Sequence, residues 1–363
     1  MQRASQFDFT AVLRSGDTIS WPQGTGEPLG LTRRLVSRRA ALPDCRLFVG
    51  ITTSDTLTPA LADRFEVQGL NGAGSNRRLT AKGLLDVTPV HVSAVPALLR
   101  DGCIAVDVAL VRVRPTGVAG QYSLGVVCDY TAALIETARC VIGELDERLP
   151  LTGQDALVAA DDIDVLVEAD DEEILMYDDA PSPVEDAIAR HVAALIHDRA
   201  TVQLGIGGLA VAMTRGLFGH RDLGVHSGVL SDVFVDLVER GVVTNAYKGI
   251  DAGVSVTGCL FGSRRLSDFA ANNPVLAMRS AEYTHTPFVM SRINALHSVN
   301  FAIEVDVTGQ VNAELAAGRY LGAVGGQADF VRGARFSPGG RSIIALPSTT
   351  PDGKISRIVT SLA

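Results

Sequence analysis

The sequence predicts an α/β protein built from two related open α/β domains with a cleft between them. Short apolar runs alternate with segments of helical period in both halves of the chain, the pattern of strands interleaved with helices. Between the halves lies a long segment, residues 149–189, rich in carboxylates and free of Lys and Arg. Glycines cluster where an apolar run gives way to a helical pattern, most clearly in LGIGG at 204–208.

In the first half, 18–21 and 46–51 read as strands and 28–40 as a helix. Residues 106–113 read as a buried strand, because Val, Ala and Leu fill the run almost continuously. The acidic segment, with DDID at 161–164 and ADDEEI at 169–174, reads as a solvated connection. It suggests a boundary dividing 1–180 from 181–363. It closes on Pro181-Ser182-Pro183-Val184-Glu185: Ser182 suits an N-cap, Pro183 the first turn, and Glu185 the third position of a capping box. A helix is expected from Pro183 onwards, with an apolar face of Ala187, Ile188, His191, Val192, Leu195 and Ile196.

In the second half, 201–206 reads as a strand, Gly207-Gly208 as a turn and 209–218 as a helix. Residues 223–226 form the next expected strand, followed by Ser231 as N-cap of a helix over 232–239. Gly228, in GVHSGVLSD, therefore falls in the loop at the C-terminal end of a strand. That is where open α/β sheets bind ligands.

Composition bounds the function. With 363 residues, 47 % of them apolar, the chain can bury two cores. The net charge of −9 argues against a nucleic-acid partner. Five cysteines, Cys45, Cys103, Cys128, Cys140 and Cys259, form no CxxC pair, so neither a disulfide framework nor a metal site is indicated. With no apolar run near about 20 residues and no apolar leader, the expectation is a soluble cytoplasmic protein without membrane contact.

A series of motifs in fixed order is more specific: GTGEP (24–28), DVTPVHVSAVPALLRDG (86–102), DVALVRVRPTGVAGQYSLG (107–125), DYT (129–131), LGIGG, GVHSGVLSD (224–232), GSRRLSDFAANNP (262–274), AIEVDVTGQVN (302–312), VGGQADFVRGA (324–334) and IIALPST (343–349). Together they resemble the acetyl-CoA hydrolase/transferase family, class I CoA-transferases that include 4-hydroxybutyrate CoA-transferase. The resemblance implies two CoA-transferase-type domains and a coenzyme A thioester as substrate, with no metal or redox cofactor. It also implies that a glutamate, which attacks the thioester, belongs at the position held here by Gly228. Glycine offers no such nucleophile.

Other site residues follow from the same motifs. The resemblance places the backbone around Ile206 and Gly207 against the thioester oxygen, where donors stabilise developing negative charge. It places Ala323, Gly325, Gly326 and Gln327 in a loop across the active site, with Ala323 where relatives commonly have glycine. Gly325 and Gly326 read equally well as a tight turn. His226 and Ser227 flank the vacant position as a nominal base and nucleophile, although neighbours on a strand point to opposite faces. Cys259 lies in VSVTGCLFG, which reads as a core strand, where a thiol is inert. Glu304 and Asp306 alternate on a strand and read as structural. Lys248, Arg264 and Arg265 are basic groups suited to the phosphates of coenzyme A.

Without the glutamate, the scaffold is expected to bind an acyl thioester, on coenzyme A or on a carrier arm. An external nucleophile or water then takes the acyl group directly, as in an acyltransferase or hydrolase. Two alternatives stay open: a noncatalytic or structural subunit, and a conventional CoA-transferase using another nucleophile. Compared with the family, the chain also lacks some tens of residues at its C-terminus. That leads to the expectation of a homo-oligomer, or of a partner covering the trimmed edge.

Overall fold

The computed structural model describes residues 1–362. Seven strands of the first half form a parallel sheet in the order Asp86–Val87, Phe65–Gly69, Cys45–Val49, Thr18–Trp21, Val108–Pro115, Cys140–Leu145, Val165–Glu168. Gln121–Ser123 and Leu157–Ala159 extend it antiparallel. From Thr18–Trp21 the chain first adds strands on one side, then on the other from Val108–Pro115. The order therefore reverses between these two central strands, the kind of switch point that opens a crevice at the carboxyl ends of a parallel sheet.

The second half builds a smaller parallel sheet, in the order Gly224–Val225, Thr201–Gln203, Leu296–Phe301, Arg341–Ala345. Its order also reverses at Thr201–Gln203. One apolar cluster runs through both halves, from Val111 and Leu134 to Val202, Leu260 and Met278. A second, with Trp21, Leu35 and Leu47, lies under the other face of the large sheet.

Local chemistry explains most element ends. The helix Pro183–Ala193 begins on a complete capping box: Ser182 Oγ accepts from Glu185 N, and Glu185 Oε2 accepts from Ser182 N at 2.7 Å. Such a cap is worth about 1 kcal/mol. Its buried face uses Ala189 and Val192, with Ile196 buried beyond its end, whereas His191 and, past the helix, Leu195, both expected on that face, are exposed. The strand expected over 201–206 stops at Gln203, because the following glycines leave the ladder to form a loop.

The helix Val233–Glu239 differs from expectation in its cap. Ser231 makes no cap; Asp178 Oδ2 instead accepts from Val233 N at 2.8 Å. Asp178 belongs to the acidic segment, which is not a freely solvated connection. Asp170 accepts from Ser5, Glu172 pairs with Arg33, and Glu173 pairs with Arg264. Carboxylates in this segment find basic or N–H partners on both sides of it.

Candidate functional site

The C-terminal edges of the two sheets face one another across a cavity of ≈ 290 Å³. The first half supplies Gln23, Ile51, Asn71 and Asp129, each beyond a strand end or on the loop after it. The second half supplies Leu204, Gly205 and Ile206 after one strand, Gly228 after the next, and Asn300 within a third. The loop at 322–327 closes the cavity and is tied to the first half: Gly72 N donates to Gly322 O at 3.0 Å and Val92 N to Gly325 O at 3.1 Å. A larger surface hollow of ≈ 450 Å³ lies elsewhere, between the N-terminal segment and the acidic connection. Its charged groups largely neutralise one another, Arg33 with Glu172 and Arg3 with Asp171, and no residue of the second sheet lines it.

The centre of the cavity is set by His285, which sequence reasoning missed. It follows the one-turn helix Ala281–Thr284 and precedes the helix Pro287–Met290. The residue before a proline avoids helical geometry, so the chain breaks at Thr286 and the imidazole emerges at the break. Ala281 N donates to Asp129 O at 2.7 Å, anchoring this segment to the DYT motif.

The imidazole is wedged between two glycines. A Cβ on Gly228 would stand 2.6 Å from Cε1 and 2.7 Å from Nε2 of His285; a Cβ on Gly326 would stand 2.6 Å from both Cδ2 and Nε2. The ring of Phe330 packs edge-on, centroids 4.9 Å apart. Neither glycine is free to retreat: Gly228 O accepts from Gly258 N and Cys259 N, and Gly326 O accepts from Phe330 N. Both are glycines because the histidine ring fills the space a side chain would take.

The protons on this ring follow from its neighbours. Thr284 Oγ1 lies 3.1 Å from Ser280 O and 2.8 Å from His285 Nδ1, and its single proton serves one of the two. With that proton directed to Ser280 O, Nδ1 carries the ring hydrogen and Nε2 the lone pair; Nε2 has no hydrogen-bond partner among the described residues. Burial pushes the imidazole down to about 4, keeping it neutral at physiological pH.

Two helices present their N-termini at this cavity. Gly207, at φ 92°, is the N-cap of Gly208–Gly216, and Gly326 is the N-cap of Gln327–Phe336. The left-handed turn at Gly207 is one that a side chain would strain. The N–H groups of Ile206, Gly207 and Gly326 make no backbone hydrogen bond among the described residues. Free donors at the positive ends of helices suit an anion or a developing oxyanion.

On the opposite wall, Asp129 is buried and accepts from Gln23 Nε2 at 2.6 Å, from Tyr130 N at 2.6 Å and from Cys259 Sγ at 3.6 Å. Burial raises its carboxyl to about 6 against the pull of these bonds. Burial and the Asp129 charge push the Cys259 thiol well up, so it is a poor nucleophile although it lines the cavity.

Comparison with known proteins fits this architecture. The family model for the acetyl-CoA hydrolase/transferase N-terminal domain matches residues 4–178, and that for its C-terminal domain matches residues 262–363. The chain belongs to the acetyl-CoA hydrolase/transferase family. It is 35% identical over 346 residues to the 4-hydroxybutyrate coenzyme A transferase of Clostridium kluyveri, covering 95% of this chain and 81% of that protein. The crystal structure of RipA from Yersinia pestis superposes with a TM-score of 0.90 at 31% identity, covering 97% of this chain and 83% of that one. That of a 4-hydroxybutyrate CoA-transferase from Porphyromonas gingivalis gives 0.83 at 31% identity, over 99% and 84%.

Within this acetyl-CoA hydrolase/transferase fold, the residues singled out from sequence separate into two groups. Ile206, Gly228, Ala323, Gly325, Gly326 and Gln327 all line the cavity, and Gly207 caps the helix beside it. Ala323 does not adopt a positive φ, so the alanine carries no backbone strain there.

The others stand apart from the cavity. His226 is buried, donates from Nε2 to Thr284 O at 3.0 Å and is pushed down by burial to about 3. Ser227 is buried with its hydroxyl between Leu204 O and Val229 O, at 2.8 and 2.9 Å. Neither side chain lines the cavity, so the nominal base and nucleophile are corrected to structural residues; His226 steadies the carbonyl of the residue before His285.

Lys248 is likewise corrected. It is fully buried, with Nζ donating to Val225 O and Val254 O at 2.9 and 2.6 Å, and has no surface to offer a phosphate. Arg264 pairs with Glu173 and donates to Arg148 O, while Arg265 pairs with Asp236 and Glu239. Neither arginine lines the cavity, and with Lys248 they form no common basic site. Glu304 bonds Asn312, and Asp306 holds the turn at Thr308 and Gln310, as structural carboxylates.

No group of three or more His, Cys, Asp or Glu side chains among the described residues has a metal-holding arrangement. No helix among them is long and apolar enough to cross a membrane.

Proposed function

We propose that this protein binds an acyl thioester of coenzyme A in the inter-sheet cavity and lets an external nucleophile, an alcohol, an amine or water, take the acyl group directly. The observation that carries this reading is the occupation of the space in front of Gly228 by the His285 imidazole. A side chain at residue 228 would have to displace the imidazole, and glycine itself supplies no carboxylate for a double displacement, which supports direct transfer. The unpaired N–H groups of Ile206, Gly207 and Gly326 support continued handling of a thioester carbonyl. Membership of the acetyl-CoA hydrolase/transferase family, and likeness to a protein named 4-hydroxybutyrate coenzyme A transferase, support an acyl-CoA as donor.

The test is release of free thiol from a panel of acyl-CoA substrates, alone and with alcohol or amine acceptors. Release that depends on an acceptor identifies an acyltransferase, and release in buffer alone a hydrolase. Either supports direct transfer. Silence across the panel, with bound acyl-CoA still detectable by calorimetry, would instead assign a noncatalytic binding role.

A further inference from the structure

Resting on that reading, we infer that His285 is the general base of the transfer, its Nε2 taking the proton of the acceptor. Four features converge on this atom. With the Thr284 hydroxyl directed to Ser280 O, Nδ1 is protonated and Nε2 is the lone-pair nitrogen. It lacks a partner among the described residues although it sits in a cavity wall. It lies in the gap between Gly228 and Gly326, where a side chain on either would collide with it. And Gly326, on one side of that gap, is the N-cap of a helix and its N–H makes no backbone hydrogen bond among the described residues.

A base and an oxyanion donor side by side are what direct acyl transfer needs. The acceptor O–H or N–H gives its proton to Nε2 as its lone pair attacks the thioester carbon. Negative charge collects on the carbonyl oxygen, against the N–H groups of Gly326 and Ile206. Collapse of the tetrahedral intermediate breaks the C–S bond, and the departing thiolate takes the proton from Nε2. The acyl group ends on the acceptor, coenzyme A ends as the free thiol, and the imidazole is neutral again.

The ring is built to stay in register during this cycle. Phe330 packs edge-on against it, Thr284 Oγ1 bonds its Nδ1, and His226 holds the Thr284 carbonyl. Asp129 and Cys259 line the cavity, and His226 lies close enough to influence the same ring electrostatically; burial keeps both histidines neutral. No arginine or lysine among the described residues lines the cavity.

The experiment compares wild-type protein with His285→Ala and the closer-sized His285→Asn, measuring kcat, KM for acyl-CoA and rescue by added imidazole. The expected result is a fall in kcat of about 100-fold or more in both variants with KM little changed. Added imidazole should restore at least tenfold to His285→Ala, entering the space the ring vacates. Turnover within threefold of wild type in either folded variant would overturn the assignment. So would a loss confined to KM, a loss that imidazole leaves untouched, or an acyl adduct on His285 itself. Wild-type protein that releases no thiol with any acceptor would defeat the functional reading and the base assignment together; active variants would defeat only the latter.

Discussion

The imidazole of His285 stands where the first side-chain carbon of residue 228 would have to be, 2.6 Å from that position at Cε1. The two residues are far apart in sequence and come together because the helix break before Pro287 delivers the ring to the end of the strand Gly224–Val225. Glycine at 228 and histidine at 285 are therefore one feature. A change at either alone leaves the other mismatched.

Introducing a carboxylate at residue 228 should fail on its own. Gly228→Glu must displace a buried ring, and overpacking of this kind costs about 1–3 kcal/mol. We expect the single variant to be destabilised in denaturant titrations and to exchange coenzyme A with no free carboxylic acid. Gly228→Glu combined with His285→Ala should recover stability, and is the variant in which exchange can appear. Equal stability of the single and double variants would contradict the coupling.

Gly326 makes the same contact from the other side of the ring. It has φ −88°, which any residue adopts, so Gly326→Ala is opposed by the imidazole and not by the backbone. In wild type the substitution should lower stability; with His285→Ala already present it should be nearly silent. The double-mutant cycle should give a coupling of about 0.5–3 kcal/mol. Additive effects would mean that the ring does not press on Gly326.

Lys248 gives a pH signature remote from the chemistry. Burial pushes its amine from 10.5 down to about 7, and as a neutral amine it has two protons for the carbonyls of Val225 and Val254. Between about pH 7 and 10.5 the folded lysine is neutral while the unfolded one stays protonated. The unfolded state then binds more protons, so this contribution to stability rises with pH, by at most about 1.4 kcal/mol per unit. It is lost progressively as pH falls from 10.5 to about 7 and is flat below. Denaturation midpoints of wild type and Lys248→Met should diverge across pH 7–10 in favour of wild type; parallel curves would contradict the buried amine.

The parts of this molecule that local chemistry dictates were legible in the sequence. The capping box at Ser182 and Glu185 involves neighbours only, and the strand Thr18–Trp21 is marked by its own β-branched and aromatic residues. The Gly-rich loop at 204–208 was found because a strand must be followed by a turn before a helix, and that at 322–327 through the family resemblance; both lie at the cavity. Illegible features were those set by distant partners. Asp178 replaced Ser231 as a cap, Lys248 turned inward toward two carbonyls, and the carboxylates of the acidic segment found basic or N–H partners. His285 carries no periodic or motif signal: it stands between two threonines in a short irregular stretch, and only the fold shows what it faces.

The central claim is that the acyl group passes to its acceptor without residing on the protein. Intact-protein mass spectrometry of a rapidly quenched turnover, with free thiol measured in the same sample, tests it most directly. The account predicts thiol released in step with acylated acceptor or free acid, and protein of unchanged mass at every time point. A protein-bound acyl group or a protein–coenzyme A thioester that forms and decays at the rate of turnover would contradict it.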